Sequence, residues 1–189
     1  FNKLKYFKSN YKKILLDREY RVFWGVGIVS LLTLVYFLMP TFYNKNLIQN
    51  EIKNQILKNY NINLKFNEEI YYGLLPKPHF FTKNLSIIKD GKELGNSDVL
   101  KVFIGLNNLF KINKISMSDL IFHKTDFNLY SEDLIFFQNL LKIEPNENNI
   151  NFKKSNIFLR NDNDELLFIN KIDKSKFFYD SKNLQNVLV

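Results

Sequence analysis

Cysteine is absent from this chain. That excludes disulfides and thiolate-held metal while leaving the compartment undecided. Histidine is almost as scarce: His79 and His123 stand 44 residues apart, with no carboxylate at metal-ligand spacing, and each reads as an imidazole carried on a strand. No GxSxG, phosphate loop or HExxH occurs. Asp162 and Asp164 in NDNDE resemble half of a calcium loop, but the glycine at the sixth place is missing, so the stretch reads as a polar hairpin. No catalytic residue, metal ligand or cofactor is nominated, and the expectation is a protein that is not an enzyme.

Charge is unevenly spread. The formal net charge is +8, and the first 21 residues carry seven of the basic residues (Lys3, Lys5, Lys8, Lys12, Lys13, Arg18, Arg21) against Asp17 and Glu19. They therefore account for +5, leaving +3 for the remaining 168 residues. A basic end of this kind is better explained by membrane topology and anionic headgroups than by nucleic acid, which is not an expected partner.

The long uncharged run VFWGVGIVSLLTLVYFLM, Val22 to Met39, has 18 residues. A hydrocarbon core about 30 Å thick needs about 20 residues at 1.5 Å each, so with Tyr20, Phe42 and Tyr43 at its flanks the run just spans. No small-x-small cleavage site follows it, which favours an uncleaved anchor over a signal peptide. Beyond the run only Lys45 is near, so residues 1–21 form a cytoplasmic arm, 22–43 a single transmembrane helix, and the body faces outward into a periplasm. Gly27, Ser30 and Leu31 offer a close-packing face within it. The chain begins with Phe1, and its last stretch, DSKNLQNVLV, shows no turn signal, so both ends read as cuts in a longer protein.

Outside the membrane, Leu47, Ile48, Ile52, Ile56 and Tyr60 fall near one helical face, predicting an amphipathic helix within 44–61. Residues 62–189 then alternate with period two. Strands are expected over Ile62 to Phe66, Ile70 to Leu74, Phe80 to Ile88 and on to Ile104 after an Asp90-Gly91 hairpin, then from Ile115 to Leu129. A helical turn is expected at Leu106 to Phe110, a second amphipathic helix capped by Asp133, and a loop from Glu144 to Asn149. Short strands at Ile150 to Phe152, Ile157 to Leu159, Leu166 to Ile169 and Phe177 to Tyr179 continue a meander, with no clean repeat. The fold class is thus one N-terminal transmembrane helix followed by an α+β, mostly antiparallel sheet, the start of an elongated curved groove.

The order of helix LIQNEIKNQILKNY, strand INLKF and then EIYYGLLPKPHFFTKNLSII resembles the N-terminus of the AsmA-like family of bacterial envelope proteins. Ile62, Leu64 and Phe66 match the family's first strand, Tyr72 to Leu75 the second, Pro76 and Pro78 its proline pair, and Phe80 to Ile88 the strand after it. The later stretch VLKVFIGLNNLFKINKISMSDLIFHKTDFNL matches more loosely. Asn61 departs from the family's glycine, and Glu68 and Glu69 occupy the neighbourhood of its second one.

The resemblance implies an inner-membrane anchor and an apolar sheet that carries phospholipid between inner and outer membranes or maintains the outer membrane. Outer-membrane or envelope proteins are the implied partners. The lipid-facing candidates are Leu64, Phe66, Leu85, Ile87, Leu100, Val102, Ile104, Phe127 and Leu129. The same alternation also describes an ordinary core, and a membrane-anchored scaffold of an envelope complex is the alternative function. The helix from Leu47 is expected to cap the sheet.

Overall fold

The computed structural model describes residues 18–106, 109, 115, 117–135 and 149–189. It divides into two units, one ending at Met39 and one running Pro40–Val189.

The first unit contains helix α1, Arg18–Leu38. Its apolar residues occur on every side, the stretch Tyr20–Phe42 has mean hydropathy 2.2, and every residue from Tyr20 to Val35 is exposed. A helix apolar all round needs an apolar surrounding, and this one is long and apolar enough to cross a membrane. Thr33 satisfies its hydroxyl within the helix by donating to the Val29 carbonyl at 2.8 Å. Gly25 and Gly27 have nothing near the positions of their missing side chains.

The second unit begins with a 3-10 turn, Met39–Phe42, in which Pro40 is already buried. Asn44 caps helix α2, Lys45–Tyr60, by accepting from the backbone N–H groups of Asn46 and Leu47. Asn61 ends the helix in the left-handed conformation, φ 54°, with its N–H on the Leu57 carbonyl. The predicted stripe is buried at Ile48, Ile52, Ile56 and Tyr60, whereas Leu47, expected with them, is exposed at the edge of the first turn. Gln55 Nε2 donates to the Ile115 carbonyl at 2.8 Å, two residues before the strand that begins at Met117.

Eight strands form one sheet: β1 Asn63–Phe66, β2 Tyr71–Gly73, β3 His79–Lys89, β4 Lys92–Ile104, β5 Met117–Tyr130, β6 Asn149–Arg160, β7 Leu166–Asp180 and β8 Gln185–Leu188. The order is β1-β3-β4-β5-β6-β7-β8, and β2 shares with β1 the outer edge of β3. The Asp90-Gly91 hairpin is present, with φ of 49° and 83° at its two turn residues. Those are the positive values of the tight turn whose twist matches the strands.

The sheet is mostly antiparallel, but β5 and β6 are parallel, so the expected meander is broken there. A parallel pair needs a crossover, and residues 131–148 supply it. Of the helix predicted there, only Ser131–Asp133, a 3-10 turn, and the helical Leu134 and Ile135 lie among the described residues. Asp133 is the third residue of that turn, whose N-cap is Tyr130, and its carboxylate accepts from the Tyr130 N–H at 2.8 Å. Most of the Leu106 to Phe110 turn and of the 144–149 loop lie outside the described residues.

Two expected pairs of short strands merge. Ile150 to Leu159 lies in the single strand β6, and Leu166 to Tyr179 in β7. The end of the chain, expected to lack a turn, makes one at Ser181 to Leu184: Asp180 accepts from the N–H groups of Lys182 and Asn183, and Leu184 takes φ 52°. β8 then pairs with Phe177 to Asp180.

Candidate functional site

The strand registers align inward-facing residues into rows that run across the sheet. One row is Phe80, Val102, Leu120, Ile150, Phe177 and Leu188. The next is Thr82, Leu100, Phe122, Phe152 and Ser175. A third links Ile87, Gly95, Phe127, Ile157 and Asn170. Gly95 is needed where it stands, since a Cβ there would lie 2.5 Å from the Asp126 carbonyl oxygen.

Between the second and third rows the alternation slips by one residue on each strand from β3 to β7, at the same level. Asn84, Lys124 and Lys154 sit in the left-handed region there, with φ of 50°, 52° and 52°. A non-glycine residue at positive φ is uncommon, and three at one level make a crease shared by neighbouring strands rather than isolated irregularities. Buried hydroxyls fill the inner side of the crease. Thr125 Oγ1 donates to Ser97 Oγ at 2.9 Å, and Ser155 Oγ accepts from the Thr125 N–H at 3.3 Å. Polar atoms freed by the slip are thereby paired within the protein.

On either side of the crease the inner face forms an apolar pocket open to solvent. Helix α2 contributes Ile56 and Tyr60, and the sheet contributes residues from β3 through β8, among them Phe122, Phe152, Ile157 and Ile172. No lining residue carries a formal charge; the polar groups are the Tyr60 phenol and the Ser175 hydroxyl. Burial pushes the Tyr60 phenol above its ordinary value of 10.0, so it stays neutral at physiological pH.

The nine candidates named from the sequence divide. Ile87 and Phe127 line the pocket. Leu64, Leu85, Leu100, Val102, Ile104 and Leu129 are buried on the inner face and do not line it. Phe66 is half-buried opposite Leu85.

Sequence reasoning missed Leu120, Phe122, Ile150, Phe152, Ile157, Ile172 and Phe177, which line the pocket. A signal for most of them was available. The pattern apolar, any, Lys, Ser or Thr, any, apolar recurs as FHKTDF from Phe122, FKKSNI from Phe152 and IDKSKF from Ile172. It occurs once per strand and marks the crease on β5, β6 and β7.

No protein-family model matches this chain, and no curated protein matches it. What can be argued about function therefore rests on the site itself.

Its chemistry is simple. Among the described residues no three His, Cys, Asp or Glu side chains cluster to hold a metal. His79 is buried on β3, stacked on Phe103, and its Nδ1 donates to the Lys77 carbonyl at 2.8 Å; His123 is half-buried on β5. Asp162 and Asp164 lie in the β6–β7 hairpin, where Asp164 accepts from the Tyr130 hydroxyl and pairs with Arg160. An uncharged, aromatic-rich cavity of this kind can hold apolar matter and orient little else.

Proposed function

We propose that this is a membrane-anchored envelope protein that binds the acyl chains of phospholipid along the inner face of its sheet and so supports lipid movement between the inner and outer membranes. In this reading α1 crosses the inner membrane with the basic N-terminal side in the cytoplasm and the body in the periplasm. The likeness to the AsmA-like family belongs to the same proposal.

The observation that carries it is the uncharged pocket that runs from β3 to β8. Five strand spacings of about 4.8 Å give it a width of about 24 Å. Each leaflet of a hydrocarbon core about 30 Å thick is about 15 Å deep, so a tail that fills one leaflet fits across the strands. Each buried CH₂ contributes about 0.8 kcal/mol, and a track that offers similar burial along its length lets a lipid advance without exposing its tails to water. No chemical step is required.

Native mass spectrometry of the full chain released from detergent tests the proposal, with Ile157→Asp as the comparison. Ile157 is half-buried and lines the pocket, so a carboxylate there makes the cavity hostile to a tail while leaving the core untouched. Phospholipid retained by the native chain and lost from the variant is the expected result. Equal retention would assign the lipid to the surface of α1, and a lipid-free native chain would remove the proposal.

A further inference from the structure

The body of the protein carries a second exposed apolar surface, away from the pocket lining. The β2–β3 connection reads Gly73-Leu74-Leu75-Pro76-Lys77-Pro78, with Leu75 81% exposed and Leu74 36%. Tyr71 at the start of β2 is 45% exposed, and Phe42 is 83% exposed. Four large apolar or aromatic groups facing water cost free energy unless something apolar receives them.

The chain's own course says what receives them. The apolar span ends at Phe42, yet Pro40 is already buried in the body and the Tyr43 hydroxyl donates to the Leu109 carbonyl. Two residues later Lys45 pairs with Glu69 at 2.7 Å, and its ammonium lies 4.8 Å from the centre of the Tyr71 ring. The residues leaving the span are thus pinned to the strand that leads into the Leu74-Leu75 connection. Pro76 and Pro78 fix their φ angles and Ile104 donates to the Pro78 carbonyl at 3.2 Å, so the connection is held in place from behind.

We infer that the Leu74-Leu75 connection, with Tyr71 and Phe42, is a membrane-interface wedge that seats the body directly on the bilayer α1 crosses. The inference rests on reading α1 as a membrane span. Tyrosine is a preferred residue at the headgroup level, and Lys77, which has no ion-pair partner among the described residues, would be favoured beside anionic headgroups. Seated this way, the first strands of the sheet start at the lipid surface.

Because the chain has no cysteine, a single introduced thiol can be labelled without ambiguity. The full chain is reconstituted into vesicles of phosphatidylethanolamine and phosphatidylglycerol with an environment-sensitive fluorophore at Leu75→Cys, at Val29→Cys within α1, or at Asn163→Cys in the β6–β7 hairpin. Quenching by lipid-borne nitroxides is then read at each site. The expected result is loss of most emission at positions 29 and 75, with a blue shift at 75, and little change at 163. Quenching at 29 with position 75 behaving like 163 would overturn the wedge alone, whereas no quenching at 29 would overturn the membrane-span reading and the wedge with it.

Discussion

The inner face of this sheet has two characters. At Leu100 and Val102 on β4 it is sealed: both are fully buried and neither lines the pocket. On β6 and β7 the same face presents Phe152, Ile157 and Ile172, which are half-buried and line open space. The residue types hardly differ, so what separates core from binding surface is cover. Helix α2, with 16 residues, is about 24 Å long and about 11 Å wide with its side chains. Its footprint of about 260 Å² is about a fifth of a sheet face seven strands wide and about 14 residues long, about 29 by 46 Å. Apolar strands beyond that footprint need cover from elsewhere, and an acyl chain is cover of the right kind.

The largest effect that would break this comparison is on stability. Leu100→Ala should cost about 2–5 kcal/mol, the range for emptying a sealed core site. Ile172→Ala, on the open side, should cost less than about 1 kcal/mol, because its side chain gives up less burial. Urea unfolding of both variants in the same detergent measures the difference. Equal losses would mean that the two halves of the face are one core.

The crease separates the rows, and the hydroxyls within it should be felt next. Ser155→Ala removes the acceptor of the buried Thr125 N–H, which should cost about 1–3 kcal/mol. Ser175→Ala, on the strand beyond it, should stay within about 0.5 kcal/mol. If the two serine variants unfold at the same urea concentration, the crease does not depend on its hydroxyls.

Much of the fold was legible because its local signals agree. Period two located β1, β3, β4 and β5, Asp-Gly located their hairpin, and helical spacing found the buried stripe of α2. The crease defeated the rest. At Lys154 the left-handed residue shifts the alternation by one, so the pattern from Ile150 to Leu159 looks like two strands with a gap. The polar Asp173-Lys174-Ser175 does the same in β7.

The parallel pairing of β5 with β6 has no local signature, since it is set by where a crossover returns. The turn at Ser181 to Leu184 uses an aspartate side chain and a leucine at positive φ in place of glycine or proline. Of the site only Ile87 and Phe127 were named from the sequence, for a related reason. Clean alternation marks strands whose face is uniformly covered, and so the nine candidates came largely from the core, while the pocket residues flank the crease where alternation fails.

The smallest expected effect lies at the far end of the open half, where Asp180 closes the turn between β7 and β8. The Lys182 N–H, then the Asn183 side chain, hold its carboxyl below the ordinary value of 3.8 by favouring the charged form. A folded-state value that is depressed stabilises the protein above the unfolded value and ceases to do so as pH falls through the folded one. Asp180→Asn should therefore lower the urea midpoint slightly at neutral pH, and the gap from the native chain should close on acidification below 3.8. Sealed core sites carry no such dependence, so Leu100→Ala should keep its deficit across the same range. Parallel pH curves for Asp180→Asn and the native chain would show that the turn, and with it the pairing of β8, does not draw on that carboxylate.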